Sequence, residues 1–179
     1  SNIWADNKPK KCKHVHRAAS VYYDINQKKR HGMNKKIAKV VMSADHVVFQ
    51  TKFAMQLHHK ILKAKPKHSS IIYNGFDVGK YRSIDPIEIN NKGPIFLACS
   101  NWSNKYKRLE LIVKSFKSAS IPDSKLIIIG QNANVALSDN ITCIGHANTE
   151  SIVSYIKRCN VFVHLCYAES CPNVVVEAL

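Results

Sequence analysis

Short apolar runs alternate along this chain with stretches whose apolar residues recur every three or four positions, and that alternation most narrows the fold. A run of four to six apolar residues suits a strand covered on both faces, whereas the three-and-four spacing suits a helix with one apolar stripe. Strand, helix and strand in succession need a crossover that returns in the same direction, so the expected class is α/β with parallel sheets. Strands are expected over 13–18, 45–50 (DHVVFQ) and 70–73, with helices carrying Ile37, Val40 and Val41, then Phe53, Leu57, Ile61 and Leu62, between them. Residues 76–93 hold Gly, Pro and Asp with little periodicity and read as a linker. Strands then follow at 95–99, 125–129, 141–144 and 160–165. Between them lie a helix striped by Leu109, Ile112, Val113 and Phe116, and one capped by Asn148 or Thr149 with Ile152, Val153 and Ile156 inward. A last helix opens at Pro172, where a missing N–H costs nothing. The expected organisation is 1–75, linker 76–93, and 94–179.

With 45% hydrophobic residues and only six Gly and six Pro in 179, disorder is excluded. No uncharged apolar run is long enough to cross a bilayer as a helix, which leaves a soluble or membrane-surface protein as the expectation. Ser1 at the start and the unstopped helical run 174–179 (VVVEAL) lead us to expect a fragment at both ends.

Charge is unevenly spread. Residues 1–70 carry sixteen Lys and Arg against Asp6, Asp24 and Asp45, a net of +13, while 71–179 carry eleven against nine, a net of +2. Such a surface suits phosphate, in nucleic acid or an anionic leaflet; the plain alternative is a solvated basic face. The six Cys show no CxxC and no paired spacing, so neither a zinc site nor a disulfide framework is expected, and their usage fits a reducing, cytoplasmic compartment. The nine His, including the pair His58 and His59, lack carboxylates or Cys at ligand spacing, and no metal is expected.

In open parallel sheets ligands bind beyond the carboxyl ends of the strands, where helix N-termini point free N–H groups. Three pieces fall there. Lys105, Lys107 and Arg108 follow the strand at 95–99 and stand at a helix start, where cations oppose the dipole unless an anion lies between them; solvated side chains are the alternative. Glu169 and Glu177, with seven residues between them, can border one crevice and accept hydrogen bonds from vicinal hydroxyls, or else be an ordinary loop acid and helix residue. The helix start at Cys171 to Val174 suits a diphosphate. There is no GxGxxG and no GxxxxGK[ST], so an NAD site or P-loop is not expected.

The succession HVVFQT, IIYNGFD, ACSNWSNKYKRLELIVKSF, KLIIIG, ITCIGH and VFVHLCYAESCPNVVVEAL resembles the family-four glycosyltransferases of GT-B architecture, retaining enzymes that use nucleotide-diphosphate sugars. The similarity runs from about residue 13 to the end, and Glu-x7-Glu followed by Ala-Leu is its most specific element. The resemblance implies two Rossmann-like domains, both incomplete. Residues 1–75 would be the last portion of the acceptor-side domain and 94–179 the donor-binding domain. It implies that Glu177 binds the nucleotide ribose, that Glu169 lies against the donor sugar, and that Lys107 holds the diphosphate. Ser170, Cys171, Pro172, Asn173 and Val174 would be donor-binding, amides near Cys171 to Val174 contacting the sugar or phosphates, and Asn74 and Gly75 would border the cleft between domains. Where the family commonly has Gly-Arg, this chain has Ser100 and Asn101, so one diphosphate cation is missing and Lys105 or Arg108 would substitute.

What the resemblance implies is transfer of a sugar from a UDP-, GDP- or ADP-sugar to a glycan or lipid-linked acceptor hydroxyl, with retention, no cofactor and no metal. The basic first part would rest on an anionic membrane surface from the cytoplasmic side. Epimerases and phosphorylases share the architecture, and an inactive relative or a polyanion-binding module remain as alternatives. Nucleic acid is not the expected partner, since only Tyr22, Tyr23 and Phe53 are aromatic near the basic clusters.

Overall fold

A computed structural model describes residues 12–23, 32–167 and 169–179. Contacts divide the chain into two compact units, one formed by the described residues of 1–74 and 168–172, the other by 75–167 and 173–179.

The first unit holds a parallel three-stranded sheet in the order β1 (Val15–Ala18), β2 (His46–Phe49) and β3 (Ser69–Ile71). Val15 pairs with His46 and Val47 with Ser69. Helices α1 (Met33–Ser43) and α2 (Lys52–Leu62) make the crossovers. Parallel neighbours cannot be joined by a tight turn, so each crossover needs about a dozen residues and a helix supplies them. Val47 and Phe49 of β2 are fully buried with Ala18 and Val41, and Ile37, Met55, Leu62 and Ile71 pack around them. Thr51 caps α2 by accepting from the Ala54 amide at 2.9 Å, a contact worth about 1 kcal/mol. At the other end Lys63 takes a left-handed conformation (φ 54°) and ends the helix.

The buried face of α2 agrees with the expected stripe at Leu57 and Leu62 and departs from it at Phe53 and Ile61, which are exposed while Ala54 and His58 are buried. The reason is His58. Its Nδ1 bonds the Ala54 carbonyl at 2.8 Å and its ring meets Phe49 edge-on at 5.2 Å, so a polar side chain occupies a core position that apolar spacing assigns to its neighbours.

The second unit holds a parallel four-stranded sheet in the order β6 (Ile141–Ile144), β5 (Lys125–Ile129), β4 (Ile95–Cys99) and β7 (Val161–Phe162). Period-two alternation distributes β5 between two layers. Leu126 and Ile128 join Ala98, Ile112, Phe116 and Ile141 beneath α4 (Leu109–Ala119). Ile127 and Ile129 join Ile95, Leu97 and Cys99 on the side of α5 (Thr149–Arg158). A strand covered on both faces must read as a continuous apolar run, and KLIII does. Asn148 caps α5, its Oδ1 accepting from the Ser151 amide at 2.8 Å, and Glu150 occupies the first turn where the dipole favours an acid.

Strand β7 is shorter than the expected 160–165. It lies at the edge beside β4, pairing through Phe96 and Val161 and through Leu97 and Phe162; further bonds run from the Val163 amide to the Leu97 carbonyl at 2.7 Å and from the Asn160 amide to the Ile95 carbonyl at 2.9 Å. The stretch expected to be an irregular linker contains a short helix, α3 (Val78–Arg82), capped by Asp77, whose Oδ1 accepts from the Lys80 amide at 3.0 Å. The last helix, α6 (Asn173–Ala178), begins one residue after Pro172. No helix among the described residues is long and apolar enough to cross a membrane.

Candidate functional site

The carboxyl ends of β4, β5 and β6 open into a crevice of about 420 Å³ in the second unit. Its floor lies where two strands end. Cys99, Ser100 and Asn101 leave β4 while Ile129, Gly130 and Gln131 leave β5. The two segments are stitched by Ser100 N–H to the Ile129 carbonyl (3.1 Å) and Trp102 N–H to the Gln131 carbonyl (3.1 Å). The Trp102 indole adds a bond to the Ile129 carbonyl at 3.0 Å. Gly130 has φ 130°, and a Cβ there would fall 1.7 Å from the Ser100 carbonyl oxygen. No residue but glycine fits such an approach. Its amide donates to the carbonyls of Ile144 (3.1 Å) and Gly145 (2.9 Å), which also fixes the end of β6.

The walls come from elsewhere in the unit. His146 and Ala147 follow β6, Ile152 comes from the first turn of α5, and Asn173, Val174 and Glu177 come from α6. Asn173 and Glu177 are four residues apart and so share a helix face. Cys99 lies at the head of β4 and is buried. Burial, and then the negative charge of Glu177, push its thiol up to about 11. Asn101 turns its Oδ1 to the Ser103 amide (3.1 Å) and hydroxyl (2.8 Å), ordering the loop that follows. The crevice therefore offers one carboxylate, one imidazole, two amide side chains from Asn101 and Asn173 and a third from Gln131. Among the described residues that line it there is no Lys or Arg.

The three expected cations sit beside one another on the next segment. Lys105 and Lys107 bound a 3-10 turn, with Lys105 exposed and Lys107 half-buried. Arg108 is the residue at which α4 begins and holds a left-handed conformation (φ 58°), which costs a non-glycine residue on the order of 1 kcal/mol. Its guanidinium lies 4.0 Å over the Tyr167 ring, a cation–π contact that fixes its direction.

Of the expected donor-binding residues, Asn101, Asn173, Val174 and Glu177 are brought together in the crevice. Glu169, Ser170, Cys171 and Pro172 group with the first unit, where the Thr51 hydroxyl donates to the Ser170 carbonyl at 3.1 Å. Asn74 ends that unit and its Oδ1 accepts from the Arg17 guanidinium at 2.7 Å; Gly75 opens the other. Sequence reasoning did not single out His146, Gln131 or Cys99 as lining residues. Their signal was their place directly at the end of a buried strand, which is where a parallel sheet exposes its ligand-facing loops.

Residues 81–179, more than half of the chain, match the family model of glycosyl transferases group 1. The chain belongs to this family. Among curated proteins none matches it. Among solved structures, this group 1 chain is similar to sucrose-phosphate synthase from Thermosynechococcus elongatus, with 18% identity and a TM-score of 0.72 over 92% of this chain and 47% of that one. It is also similar to HepE of Anabaena, solved in complex with UDP-glucose, with 14% identity and a TM-score of 0.71 over 92% of this chain and 50% of that one. A second HepE structure, with UDP and glucose, gives a TM-score of 0.70 at 14% identity, over 92% of this chain and 49% of that one. The group 1 chain thus spans about half the length of the structures it matches. These likenesses bear out the α/β, GT-B class expected from the sequence.

Proposed function

We propose that this chain carries the end of the acceptor-side domain and the donor-binding part of a retaining glycosyltransferase of the family-four type, which transfers a sugar from a nucleotide-diphosphate donor to an acceptor hydroxyl. The observation that carries the reading is the Glu177 carboxylate in a crevice at the carboxyl ends of β4, β5 and β6, in a chain of the group 1 family. A carboxylate there accepts hydrogen bonds from both hydroxyls of a ribose. Asn173 and Val174 flank it, and Asn101 sits across the crevice. In this reading Lys107 holds the diphosphate, Lys105 and Arg108 supply the charge that Ser100 and Asn101 do not, and Glu169 with the 170–172 backbone serves the donor sugar. Catalysis is then positioning of the acceptor hydroxyl and stabilisation of the leaving diphosphate by fixed positive charge, with no metal taking part.

The finer proposals follow from the same reading. Residues 1–75 are the end of an acceptor-side domain, 76–93 the connection and 94–179 the donor domain. The acceptor is a glycan or a lipid-linked hydroxyl, approached from the cytoplasmic side, and the net +13 of residues 1–70 rests on an anionic leaflet. HepE holds UDP-glucose, which makes UDP the first nucleotide to try. Calorimetry with UDP, GDP and ADP, with Glu177→Ala as control, tests the core of the proposal. Binding of one nucleotide, lost about 10-fold or more in the variant, is the expected outcome. A folded protein that binds none would overturn it. A second reading, a relative that keeps the fold without transfer, draws on Ser100 and Asn101 standing where the family commonly has Gly-Arg, and that negative result would favour it.

A further inference from the structure

Trp102 is buried, with its indole on the Ile129 carbonyl and its amide on that of Gln131, while Asn101 and Ser103 on either side of it are exposed. These two are joined to each other. Asn101 Oδ1 accepts from the Ser103 amide at 3.1 Å and from the Ser103 hydroxyl at 2.8 Å. A third side chain arrives from the loop after β5, where Asn132 Nδ2 donates to the Ser103 Oγ at 2.8 Å. Asn132 holds a left-handed conformation (φ 61°), which asparagine adopts more readily than most residues. A relay of three side chains thus links the loops that leave β4 and β5, and it ends on Asn101, which lines the crevice.

The relay has a fixed sense. A backbone N–H can only donate, so the Asn101 atom that meets the Ser103 amide is the carbonyl oxygen. Ser103 has one hydroxyl proton and gives it to the same oxygen, which leaves its Oγ to accept from Asn132. Both lone pairs of the Asn101 oxygen are then taken, and what the side chain still offers is an amide nitrogen with two protons. At the crevice Asn101 is therefore a donor that cannot accept. Its natural match is an oxygen that cannot donate, above all a charged one, because an N–H bond to an anion is stronger than one to a neutral acceptor.

We propose that Asn101 donates its amide N–H groups to a phosphoryl oxygen of the donor, and that Ser103 and Asn132 are the positioning residues that commit it to do so. The two ends of an asparagine amide have nearly the same shape, so hydrogen bonds alone decide which end is presented. Without the relay the amide is free to turn over and set its own oxygen against the anion. A side chain held in the productive sense beforehand has less freedom to lose on binding. The inference rests on the reading of the crevice as a nucleotide-diphosphate site, and it names the group that meets the phosphates beside β4.

The test measures binding of UDP, GDP and ADP, each beside its nucleoside, by ligand-detected NMR, which registers weak binding. For the diphosphate that binds, Asn101→Ala lowers affinity about 10-fold, and Asn101→Asp, which can only accept, lowers it further. Ser103→Ala lowers it about 3-fold, as does Asn132→Gly, which keeps the left-handed backbone but not the amide. Ser103→Thr keeps the hydroxyl and binds as the wild type does. The nucleoside binds equally to all of them, and in the Asn101→Ala background Ser103→Ala adds nothing. Equal losses for nucleoside and diphosphate, or a Ser103→Ala loss that persists without Asn101, would overturn the assignment in favour of a role in ordering the loop. If Glu177→Ala weakens binding while Asn101→Ala and Asn101→Asp do not, this inference alone fails. If the folded protein binds none of the three diphosphates, the proposed function fails and takes this inference with it.

Discussion

Behind the central strand of the first unit the core is closed by an imidazole; behind that of the second it is closed by thiols. His58 lies fully buried against Phe49, whereas Cys99 ends β4 in the core and Cys143 and Cys159 pack around the same sheet. Desolvation acts on both in opposite senses because it disfavours whichever form is charged. It lowers His58, with the bond to Ala54 opposing it and the charge of His59 adding to it, and it lowers His16 together with the charges of His14 and His58. It raises Cys99, Cys143 and Cys159. Two sheets built by one rule are therefore exposed to opposite ends of the pH scale.

The largest effects should come from emptying each core. Phe49→Ala is expected to cost the first unit about 3–5 kcal/mol and Ile128→Ala to cost the second about 2–5 kcal/mol. Amide hydrogen exchange, read strand by strand, locates each loss in the unit that carries the substitution. A cost under about 1 kcal/mol at either position would contradict its place in the core.

Smaller, but more telling for the comparison, are the two limbs of a pH–stability curve. A lowered histidine favours the native state above its ordinary value of 6.5, and that stability is lost as pH falls below it, because the unfolded chain takes a proton that the core refuses. A raised thiol does the reverse. Its contribution is complete below 9.0 and is lost as pH rises from there towards about 11. His58→Leu should flatten the acid limb and leave the alkaline one, and Cys99→Ala should do the opposite, both followed by urea unfolding across pH. Variants that shift the curve without changing either slope would dissolve the contrast.

The smallest expected effect concerns the phase of α2. Phe53→Lys should alter stability by less than about 0.5 kcal/mol, since that ring is exposed. A loss of 2 kcal/mol in thermal unfolding would restore the face that apolar spacing alone suggests.

How far the fold could be read from residues follows from the same contrast. Ile95–Cys99, Lys125–Ile129 and Ile141–Ile144 were legible to the residue because strands buried on both faces are apolar runs cut off by Pro, Gly or polar residues. Strand β7 ended early because an edge strand has one partner, and its length is set by that partner rather than by its own composition. The face of α2 was misread because a histidine took a core place through a bond to its own helix, which no hydropathy pattern records. In the site, Asn101, Asn173, Val174 and Glu177 were legible from their places at strand and helix ends and from the resemblance. The seating of α3 on α5 was not, since it depends on bonds running mostly to backbone carbonyls, to which side-chain identity contributes little.

The approach of Gly130 to Ser100 has a consequence for heredity. A join made of main-chain bonds is recorded in a gene at very few letters: Ser100, Gln131 and their neighbours can change side chain while the bonds between their backbones stay as they are. One codon cannot drift. Descent can therefore rewrite the rim of this crevice, and with it whatever the crevice selects, without first having to reinvent the crevice.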